Sequence, residues 1–167
     1  MSKAQPKTNA ARALERLKIS FRCVAYEVDE SDLSAPTVAR KVGMEPRTVF
    51  KTLLLRVEPL GKQASGEVMA VIPGDAELDL KAAAKLCGAK RAQLVALKEV
   101  QPLTGYIRGG VTALAAKKRF PVLLDESALE HQEIAVSAGM RGLQLVLKPQ
   151  DYQRVVDAVL GQLTHSE

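Results

Sequence analysis

Apolar positions recur along this chain in two rhythms, separated by turn-forming residues. In "TNAARALERLKI", Ala10, Ala13, Leu14 and Leu17 fall on one face at helical spacing, with Thr8 or Asn9 placed to cap it. Arg12, Arg16 and Lys18 lie off that stripe. "FRCVAYEV" alternates as a strand does, and the acidic knot "EVDESD" follows at 27–32. "SAPTVARKVG" predicts a short helix: Ser34 can cap it, Pro36 suits its first turn and Gly43 stands just past its end. "EVMAVIPG" reads as a buried strand, "DLKAAAKLCG" as a helix between Asp79 and Gly88, and "KEVQPLTG" as a helical turn ending at Gly105. Three strand patterns follow, "PVLLDES", "EIAVSAG" and "LQLVLKP", and "PQDYQRVVDAVLGQL" predicts a closing helix with Pro149 near its first turn.

One stretch resists this reading. In "VFKTLLLRV", Val49, Lys51, Leu53, Leu55 and Val57 share a face if it is a strand; Val49, Phe50, Leu53, Leu54 and Val57 share one if it is a helix. Periodicity alone does not decide. The strand reading allows a hairpin with "EVMAVIPG" across the turn-rich "EPLGKQASG". The helix reading makes a helix-turn-helix, with Ala39, Gly43 and Val49 at the packing and turn positions and Arg47, Thr48, Lys51 and Thr52 facing a DNA groove. Against it, "TLLLRV" is apolar nearly all round, and most of the chain is left without a purpose.

The mixture of elements, without repeat, linker or low-complexity tract, predicts one α+β domain over residues 1–167, built on a curved mixed β-sheet flanked by helices. Residues 1–6 and 163–167 are expected to be flexible ends. Of the 167 residues, 47% are hydrophobic and 26% charged, ordinary values for a globular protein, and the net charge of +5 is compatible with a polyanionic partner without requiring one. Aromatic residues make up 4% with no Trp, which argues against broad base-stacking platforms. Cys23 and Cys87 are far apart, and His131 and His165 have no ligand-like spacing, so neither a metal nor an organic cofactor is expected. No apolar run suits a membrane span or signal peptide, which points to the cytoplasm.

Chemistry concentrates in two places. "TGYIRGGVTAL" has glycines at 105, 109 and 110, which let a backbone turn sharply and present N–H groups to an oxyanion or phosphate. Its spacing is neither a Walker A nor a dinucleotide fingerprint, and taken alone it is more often a plain turn with no ligand. Lys51, between Phe50 and Leu53, is either a snorkelling edge residue or a partly desolvated ammonium aimed at an anion. Tyr26 suits the rim of a pocket, while Arg108 and Arg141 suit solvent as well as a ligand. No Ser–His–Asp set, Cys–His pair or carboxylate pair is visible. An enzyme of this sequence would work by positioning, backbone donors and a group supplied by its substrate.

Read in order, "KTNAAR", "YEVDESD", "VFKTLL", "AVIPGDAELDLKAAAK", "LTGYIRGGVTAL", "PVLLDESALE" and "VSAGMRGLQL" resemble the bacterial Cys-tRNA(Pro) deacylases, the YbaK/EbsC group, related to the editing domain of bacterial prolyl-tRNA synthetases. The resemblance runs from about Lys7 to the last helix. It implies hydrolysis, in trans, of cysteine mischarged onto proline tRNA, with the substrate's own thiol attacking its ester. It also implies aminoacyl-tRNA as partner, and prolyl-tRNA synthetase as a second one. Carried over, Lys51, Gly109 and Tyr26 form the catalytic set: Lys51 holds the 3′-terminal phosphate or ribose, Gly109 opens the backbone-donor loop and Tyr26 borders the aminoacyl pocket. Thr52, Gly110, Ser137, Arg141 and Gln144 form the substrate-binding set. Two departures bear on the substrate. Thr112-Ala113 stands where the family has Ser-Pro, and Gln144 where many members have Asp. The alternatives are a deacylase for another small mischarged amino acid, or a non-catalytic tRNA- or DNA-binding module.

Overall fold

Residues 7–165, the part of the chain that the computed structural model describes, contain α1 (Asn9–Arg16), β1 (Phe21–Ala25), α2 (Ala35–Val42), β2 (Phe50–Glu58), β3 (Gly66–Pro73), α3 (Leu80–Leu86), β4 (Arg91–Leu94), α4 (Leu97–Thr104), β5 (Val122–Asp125), β6 (Ile134–Ser137), β7 (Leu143–Leu147), α5 (Pro149–Val156) and β8 (Val159–Gly161). Capping follows local chemistry. The Thr8 hydroxyl accepts the Ala11 N–H at 3.2 Å, and the Asp79 carboxylate accepts that of Ala82 at 3.1 Å. The apolar stripe of α1 is Ala10, Ala11 and Leu14; Leu17, expected on it, lies beyond the last turn and is exposed.

The strand pairings settle "VFKTLLLRV". A 3₁₀ turn at Pro46–Thr48 leads into β2, which pairs antiparallel with β3 on one side, Lys51 opposite Ile72, and with β4 on the other. A recognition helix is excluded, because both hydrogen-bonding edges of this segment are taken by neighbouring strands. The five-stranded sheet runs β4-β2-β3-β5-β8, with β5 parallel to β3 and β8 parallel to β5. A second, antiparallel sheet runs β1-β7-β6, and a single bridge between Val49 and Ala135 joins the two. The expected curved mixed sheet is thus divided at that bridge.

β3 is buried on both faces, and its alternating side chains feed two cores. Met69 and Val71 join Phe50, Leu54 and the α1 residues, while Val68, Ala70 and Ile72 join Leu55, Val57 and Ala83 of α3. α1 and α3 therefore cover opposite faces of the sheet. Continuous apolar character is what a strand covered on both faces requires.

Two expectations at the C-terminus are corrected. The closing helix stops at Val156, where Asp157 takes a left-handed conformation (φ 54°), and "AVLGQL" supplies β8 instead. Of the end expected to be flexible, Leu163 is buried with its N–H donating to Asp125 Oδ1 at 2.8 Å, and Thr164 bridges Leu78. Residues 1–6 and 166–167 lie outside the described residues.

Candidate active site

β2 enters the sheet beside α2, and the loop after α4 folds back over the same point. Between them lies a cavity of about 650 Å³, to which Lys51, Thr52, Arg108, Gly109, Ser137 and Gln144 all contribute. The ammonium run and the glycine bend, more than fifty positions apart in sequence, thus share one space. Lys51 and Thr52 alternate to opposite sheet faces, yet both reach it, because the cavity wraps around the start of β2.

Lys51 is half-buried and donates through Nζ to the Gly74 carbonyl at 3.3 Å. Burial lowers its pKa from the usual lysine value, and the carboxylates of Asp75 and Glu77 oppose that shift. Gly74 is fixed by packing: a methyl group there would collide with Ala35 Cβ of α2 and come within 2.7 Å of the Val49 carbonyl. The end of β3, the start of α2 and the lysine head are therefore mutually located.

Gly109 lies in the left-handed region (φ 87°), where a side chain would also press on Arg141. The Gly110 N–H is taken by the Ile107 carbonyl at 2.8 Å; among the described residues, the N–H groups of Gly109 and Val111 have no protein acceptor. The bend is braced from outside. Arg141 Nε donates to the Arg108 carbonyl at 2.8 Å, and the Tyr106 hydroxyl donates to the Leu114 carbonyl at 2.6 Å.

The floor is polar. Ser137 on β6 and Gln144 on β7 are register partners, 9% and 4% exposed. The Ser137 hydroxyl accepts the Gly139 N–H at 3.2 Å, while Gln144 Oε1 is buried without a protein partner. One wall comes from the acidic knot: Asp32 accepts from Thr37 Oγ1 at 2.5 Å and from the Ser34 N–H at 3.1 Å. Hydrogen bonding from the Ser34 hydroxyl, then from Thr37 and the Ser34 N–H, lowers the pKa of its carboxyl to about 2. No histidine or cysteine among the described residues lines the cavity.

Three expected site residues stand elsewhere. Tyr26, just past β1, donates its N–H to the Gly142 carbonyl and packs with Val38, Ala39 and Val146, outside the cavity lining. Pairing of β1 with β7 carries it there. Arg141 braces the loop from behind, and Gly110 lies against the Met140 backbone; neither lines the cavity. Conversely, sequence reasoning missed Asp32, Leu94 and Leu97 as lining residues. The Asp-x-Ser-x-x-Thr spacing at 32–37 was the available signal for the first of these.

Comparison with known proteins agrees with this architecture. The profile of the aminoacyl-tRNA editing domain matches residues 30–155, and the chain belongs to that family. It is 40% identical, over 99% of its length and 98% of the relative's, to EbsC of Enterococcus faecalis, by its name a candidate Cys-tRNA(Pro)/Cys-tRNA(Cys) deacylase. It is 31% identical over 66% of its length, and 65% of the relative's, to the multifunctional Ser/Thr-tRNA deacylase ProXp-y of Escherichia coli K12. Among solved structures, a candidate trans-editing enzyme for prolyl-tRNA synthetase shares the fold with a TM-score of 0.79 at 24% identity, covering 98% of this chain and all of that one.

Proposed function

We propose that the chain is a trans-editing hydrolase that deacylates Cys-tRNA(Pro). The observation that carries this reading is the convergence of Lys51 and the Gly109 bend on one cavity whose lining offers neither a histidine base nor a cysteine nucleophile. Editing is needed because cysteine and proline are close in size, and a binding pocket discriminates weakly between groups differing by so little.

In this reading the aminoacyl group lies over Ser137 and the Gln144 amide, and its ester carbonyl faces the free N–H groups of Gly109 and Val111. Lys51 holds the phosphate or ribose end. The substrate sulfur attacks the ester carbon, and the developing oxyanion is met by the loop amides. The carbon–oxygen bond to the ribose then breaks. The thiol's proton goes to the departing ribose oxygen, and water opens the cyclic thioester that is left. The protein supplies orientation, which can account for several kcal/mol of the barrier when reacting atoms are held close, about 7–11 kcal/mol at the limit. Thr52 shapes the wall beside Lys51, and Arg141 acts by bracing the loop. A tRNA substrate assigns the protein to the cytoplasm, and prolyl-tRNA synthetase is the partner that would deliver it.

The test is single-turnover deacylation. Lys51→Ala is expected to abolish clearance of Cys-tRNA(Pro) while circular dichroism and melting stay those of the parent; a parental rate would refute the role. The polar floor also favours a second reading, since Ser137 and Gln144 can bind a hydroxyl as well as a thiol. A panel of mischarged tRNAs separates the two. Thiol-assisted cleavage leaves Ser-tRNA nearly untouched, whereas comparable rates on Ser- and Cys-tRNA would transfer the work to a water.

A further inference from the structure

The N–H groups of Gly109 and Val111 sit in a segment with little regular structure to hold it. Between α4 and β5, residues 105–116 form neither helix nor strand. Among the described residues, the bond from the Gly110 N–H to the Ile107 carbonyl is the one backbone–backbone hydrogen bond made wholly within them. Ordering such a segment costs conformational entropy, and donors act on a developing charge only if they are aimed beforehand.

One side chain spans the segment. Tyr106 stands at its start, and its hydroxyl reaches the Leu114 carbonyl at 2.6 Å and the Ala115 carbonyl at 2.9 Å. A phenol has a single proton to donate, so the two carbonyls share it. Ala115 takes the left-handed conformation (φ 52°) where they meet the hydroxyl, an unfavourable one for a residue with a Cβ. Both ends of this tie are anchored. The Tyr106 N–H donates to Thr104 Oγ1 at 3.0 Å, and Thr104, fully buried, donates to the Val100 carbonyl of α4 at 2.8 Å. The tyrosine ring lies on Gly139, where a Cβ would come within 3.0 Å of Cε1. At the other end, the Leu114 side chain is buried in the larger core. Burial raises the pKa of the phenol above its ordinary value, which keeps it a protonated donor at neutral pH.

We propose that Tyr106 is a positioning residue of the deacylation: its hydroxyl ties together the two ends of the bend and so aims the Gly109 and Val111 N–H groups at the ester carbonyl. This rests on the editing reading and adds the side chain that keeps its donors in place. Tyr106 does not line the cavity and touches no reacting atom. Its effect is therefore purely geometric, and a donor displaced by about 1 Å can cost roughly a hundredfold in rate. The oxyanion exists only beyond the ground state, so the loss falls on kcat and not on KM.

The experiment compares the full-length parent with two variants that keep the ring on Gly139. Tyr106→Phe removes the donor, and 4-aminophenylalanine incorporated at position 106 returns an N–H donor to the same place. In the ligand-free proteins, the ¹H–¹⁵N heteronuclear NOE of Gly109 and Val111 is expected to fall in Tyr106→Phe and to recover with the amine. On Cys-tRNA(Pro), kcat should fall in Tyr106→Phe by about tenfold to a hundredfold, with KM changed by less than about twofold, and should recover with the amine. A looser bend at parental kcat would overturn the assignment, as would a slower reaction from an unchanged bend. A loss that the amine does not restore would also overturn it, because ring packing would then be responsible; so would a rise in KM alone. The editing reading fails in a different way. A parent that leaves Cys-tRNA(Pro) intact but clears another mischarged tRNA sinks the substrate assignment alone, and the same comparison is then made on that tRNA. A parent that clears none removes the catalytic role of Tyr106 as well.

Discussion

At the scale of the residue, Lys51 is the informative side chain, because its environment pulls in two directions. Burial opposes its charge, while Asp75 and Glu77 favour it, and the balance leaves the pKa below the ordinary 10.5. The sign has a consequence for folding. The native state binds this proton less tightly than the unfolded chain does, so charging Lys51 costs stability at neutral pH. That cost is relieved as pH rises through the lowered value toward 10.5. It also has a consequence for binding, since an anion seated at the ammonium restores the charged form. A ¹³Cε NMR titration, assigned with Lys51→Arg, should place the free-protein midpoint below 10.5 and move it upward when phosphate or nucleotide is added. A midpoint at or above 10.5 without ligand would mean that the head is solvated and that the desolvation account is wrong.

At the scale of the element, the site depends on where β3 ends. Gly74 lets α2 pack directly on the strand terminus and offers its carbonyl to Lys51. Gly74→Ala forces α2 or Val49 to move, and overpacking of this kind costs about 1–3 kcal/mol. For a chain of this size each kcal/mol corresponds to a fall in Tm of roughly 2–4 °C. The expected outcome is a lower Tm together with a deacylation rate reduced further than the lost stability explains, because Lys51 is displaced as well. Unchanged melting would show that α2 is not held there.

Such couplings explain which parts of the fold were legible. The helix between Asp79 and Gly88 and the Ser34–Gly43 segment carry local signals, namely capping residues and stop glycines, and they form as read, whereas alternation left β2 open between strand and helix until its pairing with β3 decided it. β4 and β8 carry no such signal. "RAQL" and "VLG" are short edge strands that owe their conformation to β2 and β5, and neither has a pattern of its own. The site divides the same way. Lys51 and Gly109 each had a commonplace alternative in the sequence, an edge lysine and a plain turn; motif order joined them, and the fold brings both to one cavity. Tyr26 stands outside the cavity lining because a tyrosine just past a strand can pack on either side of it, and the partner strand chooses. Leu94 and Leu97 look like core residues in the sequence, and only their exposure reveals them.

At the scale of the molecule, the charge is arranged as well as summed. The basic residues of α1, Arg12 and Arg16, line a shallow surface cleft with Ala115 and Ala116, and "KKR" at 117–119 continues from there. Two basic segments a hundred residues apart thus become neighbours, at the far end of the loop whose other end forms the cavity. Arg119 makes an exposed ion pair with Asp157 at 4.0 Å, too weak to compete with a phosphate track, while Lys118 reaches the mostly buried Glu67 at 3.6 Å. An acylated tRNA with its tip in the cavity would lay its backbone along this surface. Each phosphate contact contributes about 0.7–0.9 to the slope of log affinity against log salt. Arg12→Ala/Arg16→Ala should therefore lower the slope for tRNA by about 1.5. α3 lies on the opposite face of the sheet, and Lys81→Ala/Lys85→Ala there removes the same net charge. That control should leave the slope near the parental value. Equal losses from the two pairs would show that overall charge, and not this face, attracts the RNA; no loss from the α1 pair would place the acceptor stem elsewhere.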